Sequence, residues 1–125
     1  MRIGPSGATY MSYVVTPFEV TSQALSAPAK VRFVHLYPAI ATRHSDTIDC
    51  IFLVNGTHAT VSISCAALAD LQRRDGKSLT DQQLADIAAR ALRRTLEQGY
   101  DAPLAELMLG AAEIRAFGKE LGYLT

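Results

Sequence analysis

Most of the signatures that betray a function are missing from this chain. Its charges cancel, twelve lysines and arginines against twelve aspartates and glutamates. No global field therefore draws it to nucleic acid or to an anionic membrane, and only a local patch is left for that role. No apolar stretch approaches the length of a membrane span, and the N-terminus lacks the continuous apolar segment of a signal peptide. Cysteine is scarce. Cys50 and Cys65 flank one predicted strand, too far apart along it to bridge, which predicts free thiols in a reducing, cytoplasmic setting. The chain has no C-x-x-C, no H-E-x-x-H, no glycine-rich phosphate loop, no G-x-S-x-G elbow and no paired catalytic carboxylates. It shows no repeat and no low-complexity tract beyond its first residues. No metal site and no cofactor is expected.

What is present is ordinary globular material. With 125 residues, 49% hydrophobic and 19% charged, the chain is sized for one domain with a sizeable core. Residues 1–9 are rich in Gly, Pro and Ser without periodicity and read as a disordered leader, with Met11 an alternative start; residues 10–125 read as a single α+β domain. The strongest local signal is Asn55-Gly56. This pair is preferred in a type I′ turn because both central residues need positive φ. It predicts a hairpin from Ile48 to Ile63 with Val54 opposite Thr57, Phe52 opposite Ala59 and Cys50 opposite Val61, so that Asp49, Ile51, Leu53, His58, Thr60 and Ser62 share the other face. Lys30 to Tyr37 reads as a strand stopped by Pro38, with Val31, Phe33, His35 and Tyr37 on one face and Arg32, Val34 and Leu36 on the other. Tyr10 to Val15 and Phe18 to Val20 are β-prone, but Pro17 restricts them to a short edge strand.

Past the hairpin the apolar period changes from two to three or four. Ser64 is placed to cap a helix over Cys65 to Arg74, with Gly76 as its stop. Thr80 and Gln83 form a capping box, and Leu79 with Leu84 a hydrophobic staple, at the head of a second helix whose stripe runs through Ile87, Ala88, Ala91, Leu92, Thr95 and Leu96 to a stop at Gly99. Ala102-Pro103 starts a third helix through Leu104, Leu107, Met108, Ala111 and Ile114, bent or broken near Gly110. The expected architecture is a three- to four-stranded antiparallel meander packed against two to three C-terminal helices.

Three functional readings follow. Val34 and Leu36, with Ile51 and Leu53 on the hairpin, place large aliphatic side chains on a sheet face that a single helical layer cannot cover. This points to a non-enzymatic protein–protein module, an adaptor, inhibitor or regulatory subunit, that binds a protein partner or self-associates as a homodimer. The alternative is a nucleic-acid-associated regulator using Arg73, Arg74, Arg90, Arg93 and Arg94. Against it, Asp86 stands four residues before Arg90 and Glu97 four after Arg93, so the face reads as self-neutralised. The third is a small enzyme built on Cys65, in the first turn of a helix, or on His44, Asp46 and His58. Cys65 has no cationic neighbour in sequence and packs better as a small hydrophobe. The sequon at Asn55-Gly56-Thr57 falls on the turn tip and is read as accidental.

Overall fold

The structure, a computed structural model, describes residues 15–21, 27–39, 46–98 and 107–124. In chain order the described elements are β1 (Phe18–Val20), β2 (Ala29–Ala39), β3 (Thr47–Val54), β4 (Thr57–Ser64), α1 (Cys65–Asp75), α2 (Asp81–Glu97), β5 (Leu107–Leu109) and α3 (Ala111–Glu120). The strands form one mixed sheet in the order β1-β2-β3-β4-β5. The chain is thus α+β, but in place of the expected three or four antiparallel strands the described residues hold five, and the fifth runs parallel to β4.

Between β3 and β4, Asn55 and Gly56 take φ of 51° and 84°. Val54 lies opposite Thr57, Phe52 opposite Ala59 and Cys50 opposite Val61. The Asn55 side chain also reaches sideways: its Oδ1 accepts from Lys30 N at 2.8 Å, while Asn55 N donates to Lys30 O at 2.9 Å. The turn is thereby tied to the start of the neighbouring strand. β2 runs through Pro38, which faces Ile48, rather than stopping before it. A ring can occupy that place because, among the described residues, β1 pairs with residues 29–31 alone and the missing N–H interrupts no described ladder there.

The helices begin and end where side chains satisfy exposed backbone groups. Ser64 Oγ accepts from Ala67 N at 3.2 Å at the head of α1, and Gly76, left-handed at φ 66°, closes its end with a hydrogen bond to Gln72 O. Both halves of the Thr80 and Gln83 capping box are made at the head of α2. Leu84, Ile87, Ala88, Ala91, Leu92 and Leu96 of α2 are buried. The expected third helix is corrected in part. Leu107, Met108 and Leu109 form β5 instead, and α3 starts only after Gly110, whose N–H donates to Glu113 Oε1 at 2.9 Å. The leader, most of Tyr10 to Val15, His44, Gly99 and the start at Ala102-Pro103 lie outside the described residues.

A single core results. Val31, Leu36, Cys50, Phe52, Val54, Ala59, Val61, Ile63 and Leu109 of the sheet share it with Leu71, the α2 stripe and Ile114. Phe33 meets Phe52 edge-on, ring centroids 5.4 Å apart. No helix among the described residues is long and apolar enough to cross a membrane.

Candidate functional site

Because all three helices contribute to one core cluster, the residues that alternate with the core on each strand define a second face. Register places Arg32, Leu53 and His58 in one row, His35, Ile51 and Thr60 in the next, and Tyr37, Asp49, Ser62 and Met108 in a third. Ile51 and Leu53 sit on the middle strand, half-buried and outside the core cluster. Val34 and Tyr37 are each 39% exposed and Met108 is 53% exposed. His35 stacks on Tyr37, centroids 5.7 Å apart and planes 15° apart.

One residue of the expected interaction set changes sides. Phe33 pairs with Phe52, but the next pair is His35 with Ile51, which leaves Val34 as the extra residue of a β-bulge. Every later position in β2 therefore turns over. Leu36, expected beside Ile51 and Leu53, instead lies opposite Cys50, is 7% exposed and belongs to the core; His35 and Tyr37, which regular alternation would have buried with Val31 and Phe33, lie on the face of Ile51 instead. Ile51 and Leu53 keep the face the alternation assigns them, and Val34, the unpaired residue of the bulge, is exposed and outside the core cluster.

At the turn end of this face, a recess of about 610 Å³ lies among Phe18, Lys30, Val31, Arg32, Leu53 and Asn55. Its walls are mainly apolar, while Lys30 and Arg32 bring positive charge to it and Glu19, the cross-strand partner of Lys30, brings one carboxylate.

The arginines are engaged elsewhere. Arg73 and Arg74 both bond Asp70 Oδ1, at 2.9 and 3.0 Å. Partial desolvation alone would raise the Asp70 carboxyl, but these two guanidinium groups outweigh it and hold it below its usual range. Arg90 does not pair with Asp86. It and Arg94 reach Glu120 of α3, each at 3.0 Å, and Asp86 instead accepts from the Tyr123 hydroxyl and from Gln82. The Tyr123 phenol is raised by that hydrogen bond first, then by desolvation and by the Asp86 charge. Arg93 lies 3.7 Å from Glu97 and over the Phe18 ring at 5.2 Å; Arg94 lies over Phe117 at 5.8 Å. Glu120 and Phe117 are distant in sequence, so no local spacing announces these contacts.

The thiols are poorly placed for nucleophilic work. Cys50 is fully buried, and desolvation, followed by the charges of Asp49 and Asp81, pushes its pKa up to about 12. Cys65 occupies the first turn of α1, where the helix dipole favours a thiolate, yet desolvation and the Asp46 carboxylate raise it. His58 is exposed beside the turn; His44, the other half of the histidine grouping, falls outside the described residues. Among the described residues no three His, Cys, Asp or Glu side chains gather as a metal-binding set. No protein-family model, curated protein or solved structure matches the chain.

Proposed function

We propose that the chain is a small non-enzymatic protein–protein interaction module whose second sheet face, free of helices among the described residues, receives a protein partner. The observation that carries this reading is the one-sidedness of the core among the described residues. Ile51 and Leu53, large aliphatic residues on the middle strand, lie outside it with His35 and Tyr37. The recess beside Leu53 supplies an anchor pocket, and Lys30 and Arg32 on its walls favour a partner with an apolar side chain set among acidic ones. A second copy of the chain is the first partner to test.

The nucleic-acid reading is weaker because each of its five arginines already faces a carboxylate, whereas phosphate binding needs free cations. A thiol enzyme is weaker still, since both thiols are raised.

Leu53→Asp with Ile51→Ser tests the proposal. Light scattering at high concentration and a pull-down with wild-type bait should show a dimer or a stable complex, and the double variant should remain folded and lose it. A wild type that stays monomeric and unaccompanied, with a double variant that simply unfolds, would make this face internal core and overturn the reading.

A further inference from the structure

Away from the sheet, the end of α1 meets α3 around a second recess of about 500 Å³, lined by Asp75, Lys77, Arg115, Lys119 and Leu124. Lys77 follows the left-handed Gly76 that closes α1, and Lys119 sits in the last turn of α3. Each lysine by itself is explained by the negative end of the helix dipole beside it. The dipoles do not explain why both converge with an arginine on one cavity.

Arg115 is held in place: its Nη1 donates to Asp75 Oδ2 at 2.5 Å, and its Nη2 stands 3.9 Å from Asp70 Oδ2. Lys77 and Lys119 enter no ion pair among the described residues. Among the side chains, three cations thus line the recess against the one carboxylate of Asp75, a side-chain surplus of two positive charges that the negative ends of the α1 and α3 dipoles reduce in part. Buried Leu124 adds an apolar wall.

We propose that this recess binds a small phosphate monoester. A monoester carries close to two negative charges near neutral pH, opposite in sign to the side-chain surplus. The ammonium groups of Lys77 and Lys119, which enter no ion pair among the described residues, act as point charges on its oxygens, while Arg115, its charge balanced by Asp75, adds only the N–H groups that its carboxylates leave free. The volume lies within the range of small-molecule sites, and Leu124 meets the carbon skeleton of the ester. None of the lining residues belongs to the sheet, so this site stands or falls independently of the partner-binding face.

The test is a titration of the full chain with glycerol 3-phosphate, and separately with inorganic phosphate, followed by calorimetry and amide chemical shifts at low ionic strength. Saturable binding is expected, with shifts confined to residues 75–77 and 115–124 and with weakening as salt rises. Lys77→Ala with Lys119→Ala should weaken it about tenfold or more, through the loss of charge-assisted hydrogen bonds, while Lys77→Arg with Lys119→Arg should retain it. Both lysines are exposed, so the variants should keep the wild-type circular dichroism. A parallel arm with vesicles containing phosphatidic acid offers the same group on a lipid. Binding to vesicles in preference to the soluble ester would overturn the small-molecule assignment. Absence of saturation by about 10 mM, or equal binding by the double alanine variant, would overturn the site.

Discussion

Deleting Val34 should leave the fold standing. In a strand of regular alternation, loss of one residue turns every later side chain to the opposite face. Here Val34 is the unpaired residue of a bulge, between the Phe33–Phe52 and His35–Ile51 pairs. Its removal brings Phe33 and His35 into a continuous ladder and leaves Leu36 opposite Cys50 and Pro38 opposite Ile48. The cost is then confined to the burial of one valine that is already 39% exposed. Full burial of such a side chain contributes about 1.5–3 kcal/mol, so the deletion should cost about 1–2 kcal/mol. Leu36→Ala sets the scale for comparison. At 7% exposure within the core it should cost about 2–5 kcal/mol, a large share of a typical domain stability of about 5–15 kcal/mol. Urea denaturation followed by far-ultraviolet circular dichroism measures both, and an unchanged m-value would show that the deletion variant unfolds from an equally compact state. A deletion variant that is unfolded, or that loses more than about 4 kcal/mol, would refute the bulge argument, because that is the result expected of a flipped strand.

Thr80→Ala removes the acceptor of the Gln83 N–H at the head of α2 and should lower stability by about 1 kcal/mol in the same urea assay. Gly118→Ala would set a Cβ 2.5 Å from Leu124 Cδ1 and 2.8 Å from its Cγ, so overpacking of about 1–3 kcal/mol should offset or exceed the gain of about 1 kcal/mol in helix propensity. In a Leu124→Ala background the clash disappears, and the same substitution should stabilise; a double-mutant cycle reads the difference. The Cys50 thiol is neutral when protonated and its pKa is raised from 9.0 to about 12, so the fold binds this proton more tightly than the unfolded chain does. The stability it contributes is complete below about pH 9 and is lost as pH climbs from there toward 12, and Cys50→Ala should flatten that part of the curve of stability against pH.

The helices α1 and α2 and their caps were legible in the sequence because their signals are local. The Thr80 and Gln83 box, the Ser64 cap and the Gly76 stop each lie within a few residues of the backbone groups they satisfy. The bulge was not legible. In Lys30 to Tyr37 neither set of alternating residues is wholly polar, so the pattern accommodates a turnover at Val34 as readily as a straight strand. β5 was hidden for a different reason. Leu107, Met108 and Leu109 are good helix formers at helical spacing from Leu104 and Ala111, and the edge of β4, remote in sequence, decides their conformation. For the candidate face, Ile51 and Leu53 could be read from alternation alone, whereas the exchange of Leu36 for His35 and Tyr37 required the bulge. The pairing of Arg90 and Arg94 with Glu120, and the convergence of Lys77 with Arg115 and Lys119, join distant segments and have no local signature.

The parallel pairing of β5 has a consequence for the order in which the fold assembles. The β3–β4 hairpin closes through a two-residue turn and can form within microseconds. β5 cannot reach β4 until α1, α2 and every residue before Leu107 have been synthesised, because a parallel neighbour requires a crossover and closure entropy grows with the span. During synthesis the outer edge of β4, with Val61, Ser62 and Ile63, therefore waits uncovered until three residues near the C-terminus arrive to occupy it. A ribosome stalled before Leu107 would hold a chain whose hairpin is already paired on one side and bare on the other. During that interval the unpaired edge of β4 is open to edge-to-edge pairing with another chain.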